Sequence, residues 1–508
     1  MSLFLCASIL AGCSGLPSLE GRVPSSALPH DEAAETQLGK AINPLIQGHP
    51  GISGIYPLAG PADAFAARAL LAQAAQRTLD VQYYIWHGDT TGTLLLQALL
   101  DAADRGVRVR LLLDDNGTSG IDSQLAALDS HQNIEVRLFN PFPSRSAKWL
   151  GFLTDFGRVN RRMHNKSFTA DNTASIVGGR NVGDEYFGAT DGVLFTDLDV
   201  LSVGPVVDQV SKDFDLYWGS DSAYPVNRLI AVASASERRA VAAAATALKQ
   251  SPKAKEYVAA LQQLQFIRQL LNGQLKLIWA NTRMVSDDPA KVLGKASPAQ
   301  LLTYKVGRII DKPSSHVELV SPYFVPTKTG VAAFSEMSKR GVKVRILTNA
   351  LEATDVAAVH AGYAKSRKAL LKAGIELFEM RRQAGVNDEP DKYKMFGSSG
   401  SSLHAKTFAV DGQRAFVGSF NFDPRSAKLN TELGFVIDSP QLAQRIELAF
   451  DRDLPASAYR VTLDENDNLK WTEQRGSEQM TYDTEPGSSL WVRMSVALLS
   501  LLPIDWML

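Results

Sequence analysis

The sequence has few cysteines, no excess of either charge and no apolar run long enough to cross a membrane. Its only cysteines, Cys6 and Cys13, lie in the first fifteen of 508 residues, so the rest of the chain cannot form a disulfide or a thiolate metal site. Lys and Arg number 53 against 54 Asp and Glu, which excludes the general basic surface typical of nucleic-acid-binding proteins. Nucleic acid is therefore not an expected partner, and any anion must be recognised locally.

Residues 1–45 are predicted to form a lipoprotein-like signal and a linker. Leu3 to Gly12 is apolar and rich in small residues, as in a secretory signal, and is too short for a spanning helix. The run that ends at Cys13, Leu-Ala-Gly-Cys, resembles the lipobox of bacterial lipoproteins, which implies lipid attachment at Cys13. We therefore expect a membrane-associated protein of the bacterial cell envelope, at either the inner or the outer membrane. No Lys or Arg precedes the apolar run, so a cytoplasmic protein is the alternative.

The segment from Leu490 to Leu508 is also apolar. Arg493, Pro503 and Asp505 interrupt it, and its uninterrupted part is well short of the roughly 20 residues that a bilayer-spanning helix needs. Tryptophans near both ends suit an anchor that lies in the membrane interface. A helix docked on the protein's own core is an equal alternative.

A strand–helix–strand pattern occurs twice in the chain. The elements are predicted at Leu79 to Trp86, Thr93 to Arg105 and Val107 to Asp114, and again at Val317 to Phe324, Gly330 to Arg340 and Val342 to Thr348. Strands that alternate with helices at this spacing indicate an α/β fold with a parallel-type sheet. The repeat predicts two similar domains, residues 46–230 and 296–456. A helical connector, 231–295, joins them, and an extension with an apolar tail, 457–508, follows.

Two segments outside the repeat have patterns of their own. In the connector, Ala233 to Gln250 and Glu256 to Leu271 are rich in alanine and glutamine with apolar residues at helical spacing, so both are predicted helices. A loop is predicted from Arg283 to Lys295. A second loop, Gln383 to Ser402, is rich in glycine, serine and charge. Long loops near chemistry commonly act as lids or substrate channels.

One constellation of polar residues occurs in each predicted domain. At identical spacing, the first domain has His164, Lys166, Asp171 and Asn181, and the second has His404, Lys406, Asp411 and Asn421. A single His-x-Lys pair is common by chance, whereas two complete copies inside two copies of one repeat are strong evidence for a shared site. On a strand, both side chains of His-x-Lys point to the same face. Each pair is therefore predicted to point into one cleft.

These residue types suit the transfer of a phosphoryl group. If the two copies face each other, two imidazoles, two ammonium groups and two carboxamides surround one phosphodiester, and the Lys and Asn donors stabilise its oxygens. One imidazole attacks phosphorus while the other protonates the leaving alcohol, and the roles reverse when an acceptor alcohol arrives. Arg158, Arg161 and Arg162 precede the first motif and are candidates to meet an anionic headgroup. A solvated basic turn is the alternative for them.

The paired motifs resemble the HKD motifs of the phospholipase D superfamily. That resemblance implies two α/β/α sandwich domains related by a pseudo-twofold axis, with the active site between them. It implies phosphoryl chemistry without a metal or other cofactor, with His164 as the nucleophile and His404 as the general acid and base. It also implies that Asp171 and Asp411 brace turns through backbone hydrogen bonds and take no part in the chemistry.

The same resemblance implies an acidic residue against the second ring nitrogen of each histidine, where it fixes the tautomer and supports the imidazolium form. Glu432 fits this position for His404. For His164 the corresponding residue is Asp197, with Asp199 and Glu185 as further candidates.

Longer runs are similar to bacterial cardiolipin synthases of the C type. They are Asp80 to Trp86, Met163 to Phe168, Gly178 to Phe187 and Asn421 to Ser426. This similarity implies phosphatidyl transfer at a phospholipid membrane, making cardiolipin from phosphatidylglycerol and either phosphatidylethanolamine or a second phosphatidylglycerol, with a macrodomain-type helper protein. Hydrolysis of lipid or nucleic acid by the same site is the alternative. A non-catalytic lipid-binding lipoprotein is a third, and the two complete sets of His, Lys and Asn argue against it.

Overall fold

The computed structural model describes residues 15–145, 147–190, 194–264, 269, 274–310, 312–382 and 401–502. Cys13, most of the predicted loop from Gln383 to Ser402, and residues 503–508 of the tail lie outside the described residues. Within the described ranges the chain forms two α/β domains, each built on a mixed sheet with three parallel strands at its centre.

The first domain is built on one sheet and the helices that cover it. Its strands are β1 Ser53–Leu58, β2 Thr78–Ile85, β3 Arg108–Gly117, β4 Ile134–Phe139, β5 Ser167–Ala170, β6 Ala174–Gly178, β7 Leu194–Thr196, β8 Asp199–Val203 and β9 Ala223–Pro225. The sheet order is β9-β4-β3-β2-β5-β6-β8-β1, with β7 outside it. Val81, Leu111 and Val136 on the parallel strands are fully buried, as expected where helices cover both faces of a sheet.

Two helices of this domain precede β1 in the chain, and the others lie between its strands. They are His30–Glu35, Gln37–Gln47, Pro61–Ala74, Thr90–Asp104, Asp122–Asp129, Trp149–Thr154, Phe156–Val159, Asp184–Phe187 and Pro205–Gly219. The helix Thr90–Asp104 begins where the Asp89 side chain accepts a hydrogen bond from the Gly92 amide, which satisfies one of the unpaired donors of its first turn.

The second domain repeats the strand order of the first. Following the connector strand β10 Ile278–Ser286, its strands are β11 His316–Val320, β12 Lys343–Asn349, β13 Glu376–Met380, β14 Ser401–Leu403, β15 Lys406–Val410, β16 Arg414–Gly418, β17 Leu433–Asp438, β18 Ala458–Leu463, β19 Leu469–Arg475 and β20 Glu478–Tyr482. The order β17-β16-β15-β11-β12-β13 matches β8-β6-β5-β2-β3-β4 of the first domain. This match confirms the predicted α/β fold of two similar domains.

The helices of the second half are mostly short. They are Leu302–Ile309, Thr327–Lys339, Ala357–Ala364, Arg367–Lys372, Pro424–Lys428, Pro440–Arg452, Leu454–Ser457 and Leu490–Ser500. An apolar core joins the two domains, because Ile55, Val177 and Val200 of the first pack in one cluster with Val417 and Phe435 of the second. The cleft between the domains is therefore held by buried apolar contacts as well as by hydrogen bonds.

The connector is helical only in its first part. Ala235–Gln250 and Pro252–Gln262 are helices, but β10 then pairs with β1 on one side and with β17 on the other. The prediction of a loop from Arg283 was wrong as far as Ser286. The partners of β10 lie far away in sequence, and local patterns do not record such long-range pairing. A single strand thus links the sheets of both domains.

The segment after residue 457 also contributes to the fold. β18 pairs with β13, and β19 and β20 extend the same sheet, so much of the predicted extension is part of the second domain. In the tail helix Leu490–Ser500, Val496 is buried against Leu351, whereas Trp491 is 76% exposed. One face of the tail helix thus packs on the second domain, and the opposite face is exposed to solvent. Among the described residues, no helix has the length and apolar character to cross a membrane.

Candidate active site

The first motif lies where the chain enters β5. His164 and Lys166 are almost completely buried, and the Lys166 Nζ donates to the His164 carbonyl at 2.5 Å. The His164 amide donates to the Thr431 carbonyl of the other domain at 2.9 Å, and Met163 and Thr431 form an isolated parallel bridge. The strand that carries the first histidine is therefore attached to the second domain.

The second motif mirrors this arrangement at the start of β15. The strand β14 before it pairs in parallel with β7 of the first domain, and the His404 amide donates to the Thr196 carbonyl at 2.7 Å. The Lys406 Nζ lies 2.9 Å from the His404 Nδ1 and donates to the His404 carbonyl. Each motif is thus bound to the segment that carries the other domain's candidate acid.

The histidine–carboxylate pairs are exchanged relative to the sequence prediction. The His164 Nδ1 lies 2.8 Å from the Glu432 Oε2, and the His404 Nδ1 lies 2.6 Å from the Asp197 Oδ2. The two acids are those predicted, but each serves the histidine of the other domain. The cause is the bridging between domains, because Thr431 and Thr196 bring the residues that follow them across the cleft.

The two further candidates for the acid are engaged elsewhere. The Asp199 Oδ2 accepts from the buried Arg68 at 2.8 Å. The Glu185 Oε1 lies 3.1 Å from the His87 Nδ1. Neither carboxylate is bonded to a motif histidine in the part of the chain that the structure describes.

The two carboxylates differ in their electrostatic state. Burial raises the pKa of Glu432 to about 7, against the opposing effect of Lys166. Burial also disfavours ionisation of Asp197, but Lys406 and His404 outweigh it and lower the pKa of that carboxyl. His404 therefore faces a fully ionised partner, while the partner of His164 titrates near neutral pH.

The basic groups of the site all have a lowered pKa. Burial, followed by Lys166 and Lys406, lowers the pKa of His164 well below its usual range. The pKa of His404 is lowered by burial and Lys406, although Asp197 opposes the shift. Burial lowers the pKa of Lys166 strongly and that of Lys406 to about 8. An anion placed among these groups would relieve their mutual repulsion, so the site is suited to a phosphodiester.

The two motif asparagines have different partners. The Asn181 Oδ1 accepts from the Ile85 amide at 3.2 Å, and its Nδ2 donates to the Tyr186 hydroxyl at 3.0 Å. The Asn421 Oδ1 is buried and has no hydrogen-bond partner among the described residues. A buried amide that lacks a partner on one side is available to a phosphoryl oxygen, because rotation of the amide can turn its NH₂ group toward that oxygen.

The motif aspartates hold turns, as predicted. Asp171 accepts backbone hydrogen bonds from Gln76, Arg77 and Thr78, and Asp411 accepts them from residues 314–316. Burial opposes the ionisation of Asp411, but these amides outweigh it and hold the pKa of the carboxyl below its usual range. Both aspartates have a positive φ, which fits the tight turn after each motif strand.

Comparison with known proteins identifies the family. Residues 69–218 and 306–454 match the family model described as "Cardiolipin synthase, PLD-like domain", with one motif in each segment. The chain belongs to this family. It is 48% identical to cardiolipin synthase C of Escherichia coli K12 over 472 residues, which covers 93% of this chain and 100% of the relative. The phospholipase D family and the fold implied by the paired motifs are confirmed, and so is the phosphatidyltransferase class implied by the longer runs.

More distant proteins are similar over most of their length. Cardiolipin synthase A of Pseudomonas entomophila is 25% identical over 415 residues, covering 80% of this chain and 69% of the relative. The crystal structure of phosphatidylserine synthase from Haemophilus influenzae superposes with a TM-score of 0.57 at 13% identity, covering 93% of this chain and all of that one. At that identity the superposition establishes the fold alone.

Several residues of this cardiolipin synthase family member support the site but were missed in the sequence. The Ser419 Oγ donates to the Glu432 Oε2. From the connector, the Asp287 Oδ2 accepts from the Glu432 amide at 3.0 Å and from the Lys291 Nζ at 2.8 Å. Ser419 could be seen in the sequence as the one hydroxyl residue in the run from Gly418 to Asn421, where the first copy has Gly179. No sequence pattern pointed to Asp287, because its role depends on the position of β10 in the fold.

Aromatic rings cover both histidines. Tyr84 packs edge-on against His164 with ring centroids 5.1 Å apart, and Tyr186 does the same to His404 at 5.2 Å. The side chains of both tyrosines are largely buried. The rings pack against the imidazoles, and both tyrosines lie in the runs that are similar to the C-type branch.

Each of the three arginines before the first motif is bonded to a protein group. Arg162 is buried and donates to Asp114 at 3.0 Å, so the segment is not a solvated turn. Arg158 donates to Asp155 at 2.6 Å, and Arg161 donates to the Lys291 carbonyl at 3.0 Å. These contacts between protein groups anchor the approach to His164.

One cluster near the site has the composition of a metal-binding group. Ligand atoms of His87, Asp89 and Glu185 lie within 4.8 Å of one another. Both Asp89 oxygens already accept backbone hydrogen bonds, from Gly92 at 3.0 Å and Asp184 at 2.7 Å. The cluster therefore fits a helix cap and a His–Glu ion pair better than a cation site.

Proposed function

We propose that the protein makes cardiolipin by moving a phosphatidyl group from one phospholipid to the headgroup hydroxyl of phosphatidylglycerol, through a phosphohistidine at His164. The observation that carries the proposal is the pair of buried histidines, each with its Nδ1 bonded to a carboxylate of the other domain. An Nδ1 fixed in this way leaves the Nε2 of each ring for the reacting groups.

In the first half-reaction, the His164 Nε2 attacks the phosphorus of the donor lipid. The bond between phosphorus and the headgroup oxygen breaks, and the protonated His404 gives its proton to the leaving oxygen. Glycerol leaves if the donor is phosphatidylglycerol, and ethanolamine leaves if it is phosphatidylethanolamine. Lys166, Lys406 and Asn421 stabilise the charge on the equatorial oxygens.

In the second half-reaction, a hydroxyl of the phosphatidylglycerol headgroup takes the place of the departed alcohol. His404 removes its proton, the hydroxyl oxygen attacks phosphorus, and the bond from phosphorus to His164 breaks. The ionised Asp197 supports His404 in both proton transfers, because it stabilises the imidazolium form. Glu432 does the same for His164 when that ring carries the phosphatidyl group.

Burial of the site supports transfer over hydrolysis. Both histidines are less than 10% exposed, and Tyr84 and Tyr186 cover them. A covalent intermediate survives to meet a lipid acceptor only where water is excluded.

The same proposal places the enzyme at a phospholipid membrane of the bacterial cell envelope. Exposed apolar side chains on and just after the helix Leu490–Ser500 support an interfacial contact, because Trp491, Leu498 and Leu501 all face solvent. Lipid attachment at Cys13 and a macrodomain-type helper protein are further parts of the proposal. Mass spectrometry of the N-terminal peptide tests the first, and assay of the purified protein without added partners tests the second.

Product analysis tests the function. Purified protein is incubated with mixed micelles of phosphatidylglycerol and phosphatidylethanolamine, beside His164→Ala, His404→Ala and, as a matched control, the exposed His30→Ala. We expect cardiolipin from wild type and His30→Ala only. Phosphatidic acid without cardiolipin would make the protein a hydrolase, and cardiolipin from either motif variant at the wild-type rate would overturn the proposed chemistry.

A further inference from the structure

An exposed apolar surface lies between β4 and the first motif. It consists of Trp149, Leu150, Phe152, Leu153 and Phe156, on the helices Trp149–Thr154 and Phe156–Val159, and is called the platform here. Trp149 is 63% exposed and Leu153 is 73% exposed. Soluble proteins rarely leave so many large apolar side chains together in water, and such patches mark binding surfaces.

The platform packs against Phe142, a buried residue that also contacts the segment before the first motif. The ring of Phe152 lies 5.4 Å from that of Phe142, and the guanidinium of Arg162 lies 4.9 Å from the Phe142 ring. Arg162 is two residues from His164 and is fixed by Asp114. A surface seated on the platform would therefore lie beside the half of the site that holds the proposed nucleophile.

The chemistry of the platform fits hydrocarbon. In the helix Trp149–Thr154 the one polar side chain is that of Thr154, and its hydroxyl donates to the Leu150 carbonyl at 3.0 Å. The platform thus offers a partner mainly apolar contacts, together with the indole of Trp149, whose N–H can bond at the polar boundary of a bilayer. Trp, Phe and Leu in this combination are typical of segments that enter the interfacial region of a bilayer.

The charges around the platform fit an anionic surface. From 145 to 162 the chain has one acidic residue, Asp155, and five basic residues, Arg145, Lys148, Arg158, Arg161 and Arg162. Asp114, Asp115 and Asp122 of the same domain pair with three of them. Counting these aspartates leaves a small positive excess, which suits phosphatidylglycerol, the anionic lipid of the proposed reaction.

We propose that the platform inserts into the interface of the phospholipid bilayer and holds the opening of the active site against the lipid surface. The inference rests on the proposed function, because both substrates of that reaction are bilayer lipids with acyl chains that water does not dissolve. The platform then reduces the distance that a headgroup must travel from the bilayer to His164.

A label at position 153 tests insertion directly. In full-length protein with Cys6 and Cys13 replaced by serine, Leu153→Cys is labelled with an environment-sensitive fluorophore and mixed with vesicles of phosphatidylglycerol and phosphatidylethanolamine. We expect a blue shift and quenching by brominated acyl chains. The matched control is Leu216→Cys, a leucine 60% exposed on the helix Pro205–Gly219, and it should show neither. An unchanged spectrum at position 153 in vesicle-bound protein would overturn the inference, and would leave a protein partner as the occupant of the platform.

Activity measurements separate this inference from the proposed function. For the double variant Trp149→Asp with Leu153→Asp, we expect activity on vesicles to fall by about tenfold or more, since two large apolar contacts are lost. Activity on monomeric short-chain phosphatidylglycerol should stay within about twofold of wild type, because that substrate needs no bilayer contact. Equal loss on both substrates would overturn the inference. Wild type that is inactive on both would overturn the function instead, and the fluorescence result would still stand.

Discussion

The His164 Nδ1 lies 2.8 Å from the Glu432 Oε2, although the two residues are 268 positions apart and belong to different copies of the repeat. His404 and Asp197 repeat the relationship in the opposite direction at 2.6 Å. Neither domain therefore contains both its motif histidine and the carboxylate that pairs with it. The pairs form only when the domains are joined, and the apolar core between them holds the two halves of the site in register.

The pairing of each motif histidine with the acid of the other domain predicts which variants regain activity on a substrate with a good leaving group. A phosphatidyl ester of p-nitrophenol needs no proton on its leaving oxygen, so it bypasses the general acid. We expect this substrate to restore release of nitrophenol to His404→Ala and Asp197→Asn, and to leave His164→Ala and Glu432→Gln impaired. The measurement is the initial rate of nitrophenol release, compared with the rate on phosphatidylglycerol.

The control for this experiment is Asp199→Asn, an acid close in sequence to Asp197 that is bonded to Arg68. For Asp199→Asn, the rate relative to wild type should be the same on the nitrophenyl substrate and on phosphatidylglycerol. If Asp197→Asn behaved like His164→Ala, the pairing within each domain that the sequence predicted would be correct and the exchanged pairing would fail.

Ser419 predicts a shift in the pH profile. Its hydroxyl stabilises the ionised form of Glu432, whose pKa is about 7, so Ser419→Ala should raise that pKa further. Since ionised Glu432 supports the imidazolium of His164, the acid limb of kcat/KM on the nitrophenyl substrate should move to higher pH. Ser402→Ala, which removes a hydroxyl bonded to the Ala353 carbonyl, is the matched control. Superimposable profiles for Ser419→Ala and wild type would contradict this role.

Asp213 predicts a pH dependence of stability. Burial raises its pKa from 3.8 to about 7, while the Ser286 hydroxyl opposes the shift. Between these values the folded state holds a proton that the unfolded state has lost, so the unfolding free energy decreases as pH rises from about 4 to 7. Asp213→Asn removes this contribution, on the order of 4 kcal/mol. Chemical denaturation gives the unfolding free energy of both proteins at pH 5 and pH 8. Relative to wild type, the variant should be more stable at pH 8 than at pH 5. A difference that does not change with pH would refute the raised pKa of Asp213.

Asp171 predicts a loss of stability without a loss of chemistry. Its carboxylate accepts three backbone hydrogen bonds, and Asp171→Asn weakens them at a cost of about 2–4 kcal/mol. We expect a lower midpoint in denaturant and a kcat at 25 °C within about twofold of wild type. Asp411→Asn should repeat the result in the second domain. A large fall in kcat for folded Asp171→Asn would give the aspartate a chemical role.

The sequence was sufficient for the parts of the site that recur at fixed spacing. His164 and His404, with their lysines and asparagines, could be found because two copies of one pattern rarely arise by chance. The α/β repeat could be predicted because the apolar periodicity of each strand and helix is visible within its own segment. The turn-bracing role of Asp171 was implied by the family resemblance, and its carboxylate accepts three backbone hydrogen bonds.

The remainder depended on contacts between distant segments. The exchange of Glu432 and Asp197 follows from bridging across the cleft, and proximity in sequence favours the wrong pairing. β10 was missed because its partners, β1 and β17, lie far from it in the chain and belong to different domains. Asp287 matters only because that strand brings it to the Glu432 amide.

The most direct test is to trap the covalent intermediate. His404→Ala, which lacks the general acid, is incubated with the p-nitrophenyl phosphatidyl ester, digested at neutral pH and analysed by peptide mass spectrometry, beside His164→Ala. The account predicts a phosphatidyl adduct on the peptide that contains His164, and none in the His164→Ala protein. An adduct on His404 in the His164→Ala protein, or cardiolipin formation by wild type with no adduct on either histidine, would contradict it.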